Sequence, residues 1–135
     1  MPAAKKPNFT VEHLHCEVDG EAWLQITAIE RVTGYVLGTA MANASDSGGS
    51  IARLYVDPAT RRRGIGKALV QLAILHIREQ SSGRRRPNVG IWVHCANTSG
   101  RAFWEAQGFR AMTEQELTGF EKVEGSIALT LTLTN

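Results

Sequence analysis

Cysteine is nearly absent: the 135-residue chain holds only Cys16 and Cys95. They stand far apart, with no second Cys nearby and no His at zinc-finger spacing, so neither a disulfide framework nor a structural metal site is expected. Both thiols read as reduced and partly buried. Long apolar runs are missing too, none approaching the roughly 20 residues that span a bilayer. The start, Met1-Pro2-Ala3-Ala4-Lys5-Lys6-Pro7, has positive charge but no apolar stretch behind it. These absences lead to the expectation of a soluble, cytoplasmic protein with no membrane partner. Charge of one sign is also lacking, since 15 Lys and Arg oppose 13 Asp and Glu for a net +2. Composition therefore does not favour a nucleic-acid partner, although basic residues can still cluster locally.

What is present suits one ordinary core. A hydrophobic content of 43% over 135 residues leads to the expectation of a single domain, residues 1–135, without repeats or a linker. Phe9 to Val18 and Ala22 to Glu30 read as strands separated by the turn Asp19-Gly20, and Arg31-Val32-Thr33-Gly34 as a hairpin connection into a third strand, Tyr35 to Ala42. The polar stretch Asn43 to Gly49 reads as an exposed loop. Ser50 to Val56 reads as a fourth strand stopped by Pro58.

Helical spacing of Ile65, Ala68, Leu69, Leu72, Ala73 and Leu75 predicts a long helix over 65–80, ended by Ser81-Ser82-Gly83. A fifth strand, Val89 to Cys95, a shorter helix, Ser99 to Gln107, capped by Gly108, and a last alternating strand, Ile127 to Leu133, follow. Residues 113–122 carry a capping signal, Thr113-Glu114-Gln115-Glu116, with too little periodicity after it to fix a helix. The class is thus α+β.

Chemistry should begin where the fourth strand stops. Arg61-Arg62-Arg63-Gly64-Ile65-Gly66-Lys67 joins strand to helix; its glycines let the backbone approach a ligand, its arginines supply charge, and the first N–H groups of the helix lack intrahelical partners. A diphosphate suits this place. A Walker A loop would need Gly where Arg61 stands and Ser or Thr where Ala68 stands; the dinucleotide fingerprint would need Gly at Leu69. The plain alternative is a solvated basic turn.

The run from Leu54 to Gly66, with Arg61-Arg62-Arg63-Gly64-Ile65-Gly66 at its end, resembles the acetyl-CoA motif Arg/Gln-x-x-Gly-x-Gly/Ala of the GNAT superfamily of N-acetyltransferases. A second motif of that family, an Asn after the fifth strand and a short helix ending in Gly-Phe, is similar to Asn97 through Phe109. The resemblance covers residues 50–109 closely and the rest only in architecture. It implies a central, mostly antiparallel twisted sheet with strands 4 and 5 splayed, a long helix after strand 4, and the two helices usual after strand 1 truncated or absent, since only Asp19 to Glu21 is available for them.

The same resemblance implies acetyl-CoA as cosubstrate and no metal. Leu54, Tyr55 and Val56 would lie along the pantetheine arm, Arg61, Arg62, Arg63, Gly64, Ile65, Gly66 and Lys67 at the pyrophosphate, and Asn97, Phe103 and Trp104 towards the thiol end. Splayed strands free backbone groups to pair with an extended amide-containing ligand. The backbone N–H of Val56 is the candidate oxyanion donor. The family's usual Tyr acid is replaced by Trp104, whose indole N–H is far too weak an acid, and Ser50-Ile51-Ala52-Arg53 lacks the usual strand-4 Glu base. His94 is the candidate base, with a packed or surface His as its plain alternative and Cys95 ranking below it. Trp104 either walls the acetyl pocket or packs with Phe103 and Phe109.

The implied reaction is acetyl transfer to a primary amine of a small molecule, a Lys side chain or a protein N-terminus. The missing Tyr and Glu motivate an alternative, a CoA-binding regulatory or interaction domain without turnover; a nucleic-acid module rests on the arginine triplets alone. The acceptor site is expected to be open or completed by a second subunit. Arg84-Arg85-Arg86 is read as a solvated loop, the other reading being attraction of an acidic partner or the cofactor's 3′-phosphate.

Overall fold

In the computed structural model, residues 8–45, 48–60, 64–81, 88–118 and 123–133 are described. They form one seven-stranded sheet in the order β1-β2-β3-β4-β5-β7-β6. The strands are β1 (Phe9–Val18), β2 (Glu21–Glu30), β3 (Val36–Ser45), β4 (Gly48–Val56), β5 (Asn88–His94), β6 (Arg110–Ala111) and β7 (Ser126–Thr132), with helices α1 (Ile65–Gln80), α2 (Thr98–Ala106) and α3 (Glu114–Leu117). All pairings are antiparallel except β4 with β5. This is the α+β architecture expected, with no helix between β1 and β2.

Local chemistry accounts for the meander β1–β4. Asp19 (φ 52°) and Gly20 (φ 81°) both take positive φ, as a two-residue turn matched to strand twist requires. The second hairpin closes through Glu30 N–H to Tyr35 O and Gly34 N–H to Glu30 O, both 2.9 Å. The exposed loop expected over Asn43 to Gly49 is largely strand instead: β3 runs to Ser45 and β4 starts at Gly48. Two close approaches explain the difference, because a Cβ on Gly48 would collide with the Asn88 backbone and one on Gly49 with Asn43 O.

Helix α1 packs on one face of β2–β4. Its Ile65, Leu69, Val70, Ala73 and Ile77 are buried against Leu24, Ile26, Ala40, Ala42 and Ile51. Leu75, assigned to this stripe from spacing, is instead 46% exposed; with 3.6 residues per turn it falls beside the stripe that Val70 and Ile77 complete. The other face of the meander keeps Leu14 61% and Tyr55 54% exposed. Thr113 and Glu116 form a complete capping box that starts α3, which resolves the ambiguous segment in favour of a single helical turn. The pair β6, absent from the sequence reading, is too short to leave a period-two pattern.

Candidate functional site

Strands β4 and β5 touch only at their starts, Gly48, Gly49 and Ser50 pairing with Asn88, Val89 and Gly90. Beyond them β4 has no ladder partner on that side. A register shift between Thr39 and Met41 puts a bulge into β4, with Arg53 at φ 53°, and a bulge bends its strand and increases its twist. Between the parted strands lies a cleft of about 690 Å³.

The ladder decides which backbone groups face this cleft. Asp57 N–H donates to Leu37 O at 2.8 Å, so Leu37 and Asp57 form the hydrogen-bonded pair and the adjacent pair, Gly38 and Val56, does not exchange bonds. The N–H and C=O of Val56 therefore point away from β3 into the cleft, and by the same alternation so do those of Leu54. An extended amide ligand would find a free strand edge here.

At the mouth of the cleft stands the N-terminus of α1. Gly64 is its N-cap at φ 78° and makes no side-chain cap bond, and the first intrahelical bond runs from Ala68 N–H to Gly64 O at 3.0 Å. The N–H groups of Ile65, Gly66 and Lys67 precede that bond and carry the positive end of the helix dipole. Most helices satisfy such groups with a Ser, Thr or Asp cap; here Gly64 has no side chain to do so, and Gly64, Ile65, Gly66 and Lys67 line the cleft. A Cβ on Gly64 would meet nothing within 4 Å, and one on Gly66 only Val56 and Phe103 at ordinary contact distance. Arg61, Arg62 and Arg63 lie outside the described residues, as do Arg84, Arg85 and Arg86.

The far wall comes from β5 and α2. Asn97 caps α2, its Oδ1 accepting from Gly100 N–H at 2.9 Å and from Ser99 Oγ at 3.3 Å. Trp104 is 7% exposed and makes edge-to-face contacts with Phe103 (5.4 Å, 72°) and Phe109 (5.0 Å, 74°), while Phe103 and Trp104 also line the cleft. Trp104 thus packs with Phe103 and Phe109, as one reading had it, while part of it borders the cleft. Cys95, expected to be partly buried, is exposed, because it sits in the turn after β5. His94 lines the cleft, and its Nδ1 accepts from Ala96 N–H at 3.1 Å. A neutral imidazole with an accepting Nδ1 carries its proton on Nε2, so His94 presents a donor.

Leu54, Val56, Gly64 to Lys67, His94, Asn97, Phe103 and Trp104 are thus brought together around one cleft. The side chain of Tyr55 is not among them: it alternates with Leu54 and Val56 and faces solvent on the other side. Arg53, Thr60, Trp92 and Ser99 line the cleft as well and were not singled out from sequence. Nothing short of the bulge, which leaves no mark in composition or period, would have pointed to Arg53. Among the described residues the lining contains no carboxylate.

Three comparisons bear on this geometry. The sequence model of the Acetyltransferase (GNAT) family matches residues 3–109. A mycothiol acetyltransferase of Clavibacter michiganensis subsp. michiganensis is 34% identical over 90 residues, which are 67% of this chain but 26% of that protein. The chain thus spans about a quarter of the length of this curated relative. An acetyltransferase of the GNAT family from Staphylococcus aureus Mu50 superposes with TM-score 0.67 at 20% identity, over 83% of this chain and 68% of that one. The PaiA N-acetyltransferase from Thermoplasma acidophilum, solved in complex with coenzyme A, gives TM-score 0.63 at 18% identity, over 82% and 61% respectively.

Proposed function

The chain belongs to the GNAT family of acetyltransferases, and from that premise we propose that it transfers the acetyl group of acetyl-CoA to a primary amine. The observation that carries this reading is the open edge of β4 leading to the uncapped N-terminus of α1. One ligand that is an extended amide at one end and a diphosphate at the other satisfies both. Leu54 and Val56 would pair with the amides, the N–H groups of Ile65, Gly66 and Lys67 would hold the diphosphate, and Asn97 Nδ2 would be available near the thioester.

In the reaction a neutral amine attacks the thioester carbonyl, the C–S bond breaks, and the proton lost by nitrogen ends on the departing sulfur, giving an amide and CoA-SH. The Val56 N–H, aimed into the cleft, is the donor for the transient oxyanion. With no carboxylate in the described lining and Trp104 in place of an acid, positioning and backbone donors carry the rate and water relays the proton. His94 serves as an Nε2–H donor rather than as a base, since its one lone pair is already used by Ala96 N–H.

That same lack of carboxylates favours a second reading, a CoA-binding domain without turnover. Calorimetric titration with acetyl-CoA, then a thiol-release assay over a panel of amines, separates the two. Binding with release is expected; binding without release on every amine would establish the second reading, and no binding would refute both. Gly66→Asp serves as control. An Asp in the first helical turn favours the helix but repels phosphate, so affinity should fall roughly 100-fold or more with the thermal midpoint of the free protein unchanged.

A further inference from the structure

Arg53 is the part of the cleft wall that the reading so far leaves without a role. It holds a left-handed backbone, φ 53°, which residues with a side chain rarely adopt, and the register shift at the bulge fixes it there. Its Nη1 lies 3.8 Å from Met41 Sδ. Met41 pairs with Gln25, between Leu24 and Ile26 of the buried stripe, and so belongs to the sheet face opposite α1. The guanidinium therefore stands on that face, at the edge of the gap between β4 and β5.

Among the described residues Arg53 has no counter-ion. Among the described residues the ion pairs are Arg101 with Glu105 and Arg110 with Glu116, and a thioether is a weak acceptor for one of five guanidinium donors. None of the described residues lining the cleft is a carboxylate that could pair with it. Its backbone is set by the bulge, and its exposed, permanently charged fork matches a planar anion.

The acetyl-CoA reading puts the diphosphate at the start of α1, on the covered face, and leaves the opposite face, where Arg53 stands, to the amine. Building on the acetyl-CoA reading above, we propose that Arg53 binds a carboxylate of the acceptor, and that the acceptor class is a primary amine carrying a carboxylate close to its nitrogen. Simple amines and polyamines bring only positive charge, which Arg53 repels, so the residue discriminates in both directions. The carboxylate can belong to a free amino acid or to an acidic residue at the start of a polypeptide.

Conjugates in which the CoA sulfur is joined through CH2–CO to an acceptor nitrogen test this without requiring turnover. Three are needed, built on glycine, on Asp-Ala amide, whose one carboxylate is the aspartate side chain, and on ethylamine, each titrated calorimetrically into the full chain. At least one carboxylate conjugate should bind roughly tenfold or more tightly than the ethyl conjugate, as a charge-assisted bidentate pair implies, and whichever gains identifies the source. In Arg53→Gln that advantage should disappear while the ethyl conjugate binds as before. Arg53→Gly, which suits the left-handed backbone, repeats the test without strain. Equal affinities for all three conjugates on the unaltered protein would overturn the role of Arg53 and leave acetyl-CoA binding intact. Failure of acetyl-CoA and every conjugate to bind would overturn the underlying reading with it.

Discussion

His94 shows how one hydrogen bond changes a residue's chemistry. From sequence it is a histidine near Asn97 with a base's usual credentials, and nothing in the letters tells which ring nitrogen is free. The turn after β5 decides it by aiming Ala96 N–H at Nδ1, which leaves the ring proton on Nε2, near Gly125. A base needs a ring nitrogen free to accept a proton, whereas an Nε2–H donor does not. We expect His94→Ala to lower the acetylation rate about tenfold and His94→Gln, which keeps an amide N–H donor, to restore it to within about threefold. The pH–rate profiles of the parent and of His94→Gln should superpose over pH 5.5–8; a limb present in the parent and lost in His94→Gln would reinstate the base. Trp104 is the converse case, since its burial among Phe103 and Phe109 was legible from the apolar cluster in sequence alone.

At the scale of elements, the sequence was most informative where one physical rule acts locally. Helix α1 was legible end to end because its period is long, and the hairpin turns because positive φ demands Asp-Gly or Gly. The breadth of β3 and β4 was not, because a polar stretch reads as loop until Gly48 and Gly49 are seen to let backbones close on one another. Gly38 makes the same point for helix seating: a Cβ there would lie 2.7 Å from Tyr55 O of the paired strand β4 and 3.1 Å from Leu69 Cδ1 of α1. Gly38→Val should cost about 3 kcal/mol by overpacking, read as a fall of roughly 10 °C in the thermal midpoint. At the opposite edge, Glu116 joins α3 to β6 through Arg110 at 2.7 and 2.8 Å. That guanidinium, with the Thr113 N–H, holds its carboxyl down from its ordinary 4.5 to about 2. A depressed carboxyl stabilises the fold above its free value and loses that contribution as pH falls from 4.5 towards 2. Because the pair is solvent-exposed, that contribution is small. Glu116→Gln keeps the capping acceptor and removes the charge, so its thermal midpoint should lie below the parent's at pH 7 and meet it near pH 2; a gap that persists there would assign the effect to capping instead.

The sheet has two halves, β1–β4 and β5–β7, whose strands pair with each other only at Gly48–Ser50 and Asn88–Gly90. Sequence indicates that a cleft should exist, through the resemblance of two motifs some 30 residues apart, but not what joins its walls, since strand splay depends on a bulge and on which backbone groups are left unpaired. A ligand seated there would touch both halves at once: Leu54 and Val56 on one, Asn97 and Trp104 on the other. Binding should therefore stabilise the molecule as a unit. At a ligand concentration 100 times Kd, mass action adds about 2.7 kcal/mol, or roughly 8–10 °C in thermal midpoint for a chain of this size. Amide exchange distinguishes a bridging ligand from one held by the phosphate end alone. With acetyl-CoA, protection is expected at Leu54, Val56 and the first turn of α1 together with the turn at Asn97, and CoA lacking the acetyl group should reproduce the β4 and α1 protection. Adenosine 3′,5′-bisphosphate, which carries no pantetheine, should protect neither Leu54 nor Val56 and raise the midpoint by much less. Equal shifts from acetyl-CoA and the bisphosphate would mean that the open edge of β4 takes no part in binding, and would return the splayed strands to a purely structural role.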